Sequence, residues 1–381
     1  MTSENKPAAF DIRVNDIGKL FMEELGLTPQ QGSALSGIGR SVDGEGRDLK
    51  SVYREYLQDQ EFTRAARCVA APDLFVINRI GGGGLDLEEI RLYHKKSEGD
   101  VVVATAITAD GAFTMRPFDN YTAYLEWWSE KYACKNEETT ANYIPPKVSL
   151  EQFLFILHAI DCFRQVSYKN MLSFKYAEKA TIEFSEFAQG MAASLKSGDI
   201  RWLLPAFTVV LPGFSQFNVE IEPGDVSIVM EQNFLLNARR TSTGEMVLAF
   251  GEAGQNMGVE FYRTWMMSSG FEINVARPTD FTAIERLFVA PTALANHFVR
   301  IETVAGGKGV VNHQAYTREQ LEHKLLELFE RAFDSVLREA PQPLPLPRTS
   351  REAPRKYCGQ CGTQLKPTAR FCDNCGTKIG N

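Results

Sequence analysis

The most regular apolar pattern in the chain lies near its C-terminal end. Leu321, Leu325, Leu328, Phe329, Ala332, Phe333, Val336 and Leu337 recur at three- and four-residue spacing, which places them on one face of a helix. Thr317 precedes the run and Gln320 follows it by three, a capping box, so a helix is predicted through residue 338. Its apolar face reads as core, with a partner-binding groove as the sharper alternative. Ser149 and Gln152 repeat the signature ahead of Phe153, Leu154, Leu157, Ile160 and Phe163, and Pro145-Pro146 breaks the chain just before it. Further helices are predicted at 15–25, 49–59, 61–70, 121–134 and 182–196. Short apolar or alternating runs predict strands at 73–80, 88–95, 100–108, 112–117, 207–211, 216–222, 226–238, 245–250, 256–263 and 270–276.

Because hairpins predominate, the class is α+β with a mainly antiparallel sheet. A weak internal repeat implies a duplicated, pseudo-twofold body, with chance similarity between generic hairpins as the alternative. Ile90–Lys96, the Gly99-Asp100 turn and Val101–Ala104 match Leu235–Arg240, the Gly244-Glu245 turn and Met246–Ala249. Phe113–Met115 followed by Asn120–Ala123 matches Phe271–Ile273 followed by Asp280–Ala283, each read as a strand and then a capped helix. The body is assigned to 11–339, with halves 11–144 and 145–339, after a disordered N-terminus at 1–10. Five prolines fall within residues 340–355, so this stretch reads as a semi-rigid extended spacer, with an SH3-type ligand as the alternative.

Composition adds limits. The chain has 381 residues and a net charge of −7. No apolar stretch approaches the eighteen or so residues of a membrane helix, and the polar start MTSENKPAAF lacks a secretory signal's apolar region. Cys68, Cys134 and Cys162 are isolated, which points to a reducing, cytoplasmic setting. The segment from Pro341 onward carries seven Lys/Arg against two acids, so the body upstream is near −12. With a thiolate-bound Zn2+ the basic segment keeps only about +3, too little for a dense phosphate-binding stripe.

The sharpest chemistry lies in that segment. Cys358, Cys361, Cys372 and Cys375 form two CxxC pairs inside near-identical knuckles, Tyr357–Thr363 and Phe371–Thr377. Two thiolates three positions apart can reach one tetrahedral ion, and Gly362 and Gly376 stand where a left-handed turn brings backbone N–H groups toward sulfur. Disulfides or spare thiols are the alternative. Four sulfur ligands leave no open position, so one structural Zn2+ is expected. Residues 357–379 closely resemble the zinc-ribbon family, and 356–381 is assigned as that module.

No comparable signal marks an active site. His94, His158, His297, His313 and His323 make no ligand spacing, and no nucleophile elbow, Walker loop or dinucleotide fingerprint is present. Gly81–Gly84 reads as a hairpin loop, because Asp86, Glu88 and Glu89 stand where a phosphate would sit. Trp127 and Trp128 are adjacent on one predicted helix and cannot both face one core, so one is a candidate exposed anchor; closing the joint between the halves is the alternative.

In the body, Glu55-Tyr56-Leu57 leads through Thr63-Arg64-Ala65-Ala66-Arg67-Cys68-Val69-Ala70-Ala71-Pro72-Asp73-Leu74 into the strand Phe75-Val76-Ile77. A helix ending in Ala-x-Pro and entering a sheet, within a duplicated body, resembles the EspG-type cytosolic chaperones of type VII secretion. The resemblance covers 11–300 in outline and implies recognition of a helical-hairpin secretion substrate by the body. The greater length and the C-terminal ribbon depart from that family, so no binding residue is carried over. The reading is a cytoplasmic, non-enzymatic adaptor or chaperone-like protein that binds a protein partner, not a membrane. Its alternatives are an enzyme with an unrecognised site and a nucleic-acid factor acting through the ribbon.

Overall fold

The computed structural model describes residues 9–36, 48–82, 84–138, 142–175, 179–220, 229–230, 233–262, 267–304 and 308–338. The predicted spacer and zinc ribbon lie outside the described residues.

The chain alternates between laying down sheet and covering it. It opens with β1 (Phe10–Arg13), α1 (Val14–Lys19, continued by a π turn to Glu24), α2 (Leu49–Val52), α3 (Arg54–Gln58) and α4 (Gln60–Ala70). Asp59 caps α4 by accepting the N–H groups of Glu61 and Phe62. A four-stranded meander follows: β2 (Leu74–Gly81), β3 (Leu87–His94), β4 (Val102–Ile107) and β5 (Ala112–Phe118), then α5 (Tyr121–Tyr132), capped by Asn120. The second half starts with β6 (Lys147–Ser149) and α6 (Leu150–Leu172), whose capping box of Ser149 and Gln152 forms as predicted. Next come β7 (Thr181–Glu183), α7 (Phe184–Ser194), α8 (Leu203–Val210), β8 (Leu235–Arg240), β9 (Met246–Phe250) and α9 (Glu252–Tyr262). A second meander closes the body: β10 (Ser268–Ala276), β11 (Phe281–Pro291), β12 (Asn296–Thr303) and β13 (Gly309–Tyr316), then α10 (Arg318–Arg338). Thr317 and Gln320 exchange both bonds of the predicted capping box.

The main sheet has ten antiparallel strands in the order β1-β5-β4-β3-β2-β10-β11-β12-β13-β6. From the central β2–β10 pair the order repeats outward on both sides: four sequential strands, then that half's own first strand. The body is therefore α+β and pseudo-twofold, but the repeat is not the one predicted. The counterpart of β3 in the other half is β11, not Leu235–Arg240, which with β7 and β9 forms a separate three-stranded sheet. Asp280–Ala283 enters a strand, not a capped helix. Three further expectations are corrected. Residues 203–210 and 252–262 are helices where strands were predicted at 207–211 and 256–263. The apolar positions of α9, Ala253, Met257 and Phe261, step by four and were the missed helical signal. Residue 216 ends a 3-10 turn, and 217–220 are irregular.

One face of the sheet carries α5 and α10 side by side. Their core spans both halves, from Leu74, Val76 and Leu92 to Phe271, Leu287 and Phe298. The opposite face is covered by α4 and its neighbours in the first half and by α6, α8 and α9 in the second. Gly270 admits α8 closely, since a Cβ there would lie 2.3 Å from the Val210 carbonyl oxygen.

Trp128 closes the joint between the halves, and Trp127 packs within the first half; neither is fully exposed. Trp128 is fully buried, with its ring 5.2 Å from Phe271 of the other half. Trp127 is half-buried on Phe118 and Tyr124, with the Arg116 guanidinium 5.2 Å and the Lys131 ammonium 4.8 Å from its ring. Trp128→Ala is expected to cost about 3–5 kcal/mol of stability and Trp127→Ala no more than about 2 kcal/mol. Urea unfolding of both variants measures this, and equal losses would contradict the packing described.

Candidate functional site

Cys358, Cys361, Cys372 and Cys375 lie outside the described residues, so the candidate sites with geometry belong to the body. Among the described residues, no group of three His, Cys, Asp or Glu side chains could hold a metal ion.

One candidate site is a groove of about 440 Å3 on the α4 side of the first-half sheet. Its floor is β3 and β4, with Glu89, Arg91 and Thr105; Ala34, Ser36 and Phe113 wall it, and Leu87 and Ile107 stand at its rim. Period-2 alternation puts Glu89 and Arg91 on this one face of β3. The hairpin register places Arg79 opposite Glu89. Glu89 accepts from Arg91 Nε at 2.8 Å and from Arg79 Nε at 3.0 Å. Burial alone would raise the Glu89 carboxyl, but the two guanidinium groups outweigh it and hold it below the ordinary carboxylate value. Beside Arg91, Tyr93 is buried completely, and burial pushes its hydroxyl up to about 12.

The second site is closed. Sequence spacing joined no histidine to another, but the fold brings His297 of β12 and His313 of β13 together, with Nδ1 and Nε2 3.1 Å apart. His297 Nε2 lies 2.9 Å from Glu260 Oε1 on α9. At the far end Asn142 Nδ2 lies 3.1 Å from His313 Nδ1. Ile144 donates its N–H to Asn142 Oδ1, so the amide must present its NH2 to His313. The donors then run one way: Asn142 to His313, His313 to His297, His297 to Glu260. Thr292 also donates to Glu260. Both histidines and the carboxylate are buried. Burial first, and then His297, holds His313 well below the ordinary imidazole value. Such a chain ends in an amide that cannot carry a proton. It acts as a clasp on the segment that crosses between the halves, which Asn296 also holds by accepting from Cys134 N at 2.7 Å and donating to Cys134 O at 3.1 Å.

The remaining candidates resolve into structure. His158 lies 2.9 Å from the Phe187 carbonyl and 3.4 Å from Cys162 Sγ. Burial lowers the imidazole to about 4 and raises the thiol, the reverse of an activated thiolate–imidazolium pair. His94 bridges Tyr121 and the Gly99 carbonyl and stacks on Phe333. Asp161 caps α8 by accepting the Leu203 and Leu204 N–H groups at 2.8 Å each, beside the buried Arg164.

Comparison with known proteins adds three findings. A zinc-ribbon domain model matches residues 357–379, which implies zinc binding. No curated protein matches the chain. Among solved structures, the chain is similar to one from the Mycobacterium tuberculosis type VII secretion system chaperone EspG5 in complex with the PE25-PPE41 dimer. Identity is 9% and TM-score 0.38, covering 88% of this chain and 99% of that one, too distant a likeness to bear on function.

The buried histidines predict the response to acid. His158 and His313 are held below their unfolded value of about 6.5, so the unfolded chain takes up protons first as pH falls. Stability should be complete above about pH 6.5 and fall steadily below it, with His158 alone costing up to roughly 3 kcal/mol by pH 4. Urea midpoints between pH 7 and 4.5 test this; an unchanged midpoint across that range would contradict the buried neutral state.

Proposed function

We propose that this chain is a non-enzymatic adaptor or chaperone-like protein whose α+β body binds a protein partner and whose zinc ribbon supplies a second contact. The observation that carries the reading is the zinc-ribbon domain at 357–379, set beyond a proline-rich stretch. Its donor set, Cys358, Cys361, Cys372 and Cys375, fits zinc: four thiolates in two CxxC pairs complete a tetrahedral shell. A shell so filled gives the ion a structural role. A second module on a spacer raises effective concentration at a bipartite target.

The body supports the same reading. Its buried histidines are closed off from solvent and bonded internally, whereas a groove over β3 and β4 has charged and apolar lining. Among the described residues no helix is long and apolar enough to cross a membrane. The free thiols Cys68, Cys134 and Cys162 are compatible with a reducing cytoplasm. The chain accordingly divides into the body at 11–339, with halves 11–144 and 145–339, the spacer at 340–355 and the ribbon at 356–381. A ribbon of about three net positive charges supports only weak, salt-sensitive contact with nucleic acid.

Metal analysis of the full chain should find one zinc, lost in a Cys372→Ser/Cys375→Ser variant; a variant that keeps stoichiometric zinc refutes the ligand set. Affinity purification from the native cell should recover a protein partner with the full chain and less of it without residues 341–381. Submicromolar retention of duplex DNA or RNA at about 0.2 M salt would decide for the nucleic-acid alternative. A chelator should leave the main thermal transition of the body within a few degrees of its starting value, because a proline-rich spacer lets few contacts cross. A larger drop would mean that the ribbon docks on the body.

A further inference from the structure

We infer that the His297–His313 pair is a proton-operated clasp: uptake of one proton reverses the hydrogen bonds at His313 and releases Asn142, loosening the segment that crosses between the halves.

Geometry fixes the resting state. The Ile144 N–H occupies Asn142 Oδ1 at 3.1 Å, so the amide NH2 meets His313 Nδ1, also at 3.1 Å. His313 then carries its proton on Nε2 and offers it to His297 Nδ1 at 3.1 Å, and His297 gives its Nε2 proton to Glu260 Oε1 at 2.9 Å. Several elements surround the pair. From α9 come Glu260 and, against the His297 ring, Phe261; from α6 comes Phe153, against the His313 ring. Thr292, just after β11, donates to Glu260. The crossing segment brings Asn142, the Ile144 carbonyl and Cys134, whose thiol is held up, and so neutral, by burial. Among the described residues, Glu260 is the one carboxylate bonded to the pair.

An added proton has one place to rest. Burial first, and then His297, disfavour charge on His313, against a smaller pull from the Ile144 carbonyl. His297 instead touches a buried carboxylate, so an imidazolium there is paired. Asn142 is exposed, so the outer end of the clasp reaches solvent. The proton is therefore taken up at His313 Nδ1, while the His313 Nε2 proton passes to His297 Nδ1. The balance is one proton gained, with His297 charged and His313 neutral in the opposite tautomer. His313 Nδ1–H now faces the Asn142 NH2, donor against donor, and the Ile144 carbonyl is the acceptor at hand. Asn142 leaves or turns its oxygen inward, and either way the Ile144 N–H loses its acceptor. The His313 N–H keeps the Pro146 carbonyl at 2.9 Å, and β6 stays paired with β13, so the segment loosens at 142–144 without detaching.

Histidine-selective 15N NMR of the full chain reads this directly, since the sequence holds five histidines. In a titration from about pH 8 to about pH 5, His297 should gain its second ring proton while His313 moves its own from Nε2 to Nδ1, both with one midpoint. Over that step the Ile144 amide should lose at least about tenfold more protection against exchange than any amide of β11. Asn142→Asp, at an exposed position, offers one oxygen to the Ile144 N–H and the other to His313 Nδ1–H. It should raise the midpoint by at least about one pH unit and keep Ile144 protected in acid. Glu260→Gln removes the counter-charge and should lower the midpoint by at least about one unit; should it fail to fold, Asn142→Asp decides alone. A merely structural pair would show neither the tautomer reversal nor the opposed shifts. The inference is overturned if His313 keeps one tautomer throughout, if Ile144 stays protected in the wild type, if Asn142→Asp loses that protection as the wild type does, or if either folded variant leaves the midpoint unchanged.

Discussion

Everything in the body hangs on the pairing of β2 with β10. These two strands run antiparallel over eight residues, from Leu74 opposite Val275 to Gly81 opposite Ser268, and turn two meanders into one sheet. Every residue of β10 is buried, although four of the nine, Ser268, Ser269, Glu272 and Asn274, are polar or charged. Burying polar groups in so dry a place is costly unless they are paired, and the pairs that form fix what can lie against them. Arg286 pairs with Glu272 at 2.8 Å and with Gln216 at 2.7 Å. On the other face Asn78 donates to the Tyr124 hydroxyl at 3.3 Å. A one-residue slip would send each of these groups to the wrong face, so the register is set by polar matching as well as by hydrophobic burial.

That shared sheet makes the difference between the halves meaningful. The second half carries α6, α8, α9 and the small sheet between its first strand and its meander, and these cover its face. Among the described residues, the first half has short helices in the equivalent stretch, and they pack on Tyr93, Val103, Phe113 and Met115 of β3–β5. Among the described residues, strand positions that are core in one half therefore become groove floor in the other, where Glu89 and Arg91 lie. The histidine clasp holds the segment that crosses between the halves. One half thus reads as a buttress and the other as a presenting surface.

What the sequence made legible follows physical range. The zinc knuckles were readable because all four cysteines lie within one short stretch. Capped helices at Ser149 and Thr317 were readable for the same reason. Strands β11–β13 were not, because helices cover both faces of β11 and the first part of β12, which erases the alternation that marks a half-exposed strand. The repeat was noticed, but its units were misaligned, since the small sheet in the second half imitates a hairpin of the first. The clasp was invisible because Asn142, Glu260, His297 and His313 come from four separate segments. The groove was within reach: Glu89 and Arg91 share a strand face, and a two-strand reading across Gly81–Gly84 would have set Arg79 beside them.

Native-state hydrogen exchange tests most directly whether the central pairing makes one cooperative body. Amides of β2 and β10 should exchange only through global unfolding, and those of β3 and β11 should follow at the same free energy. Exchange of the first meander through an opening that leaves β11 and β12 protected would contradict this, and would make the halves two independent folding units.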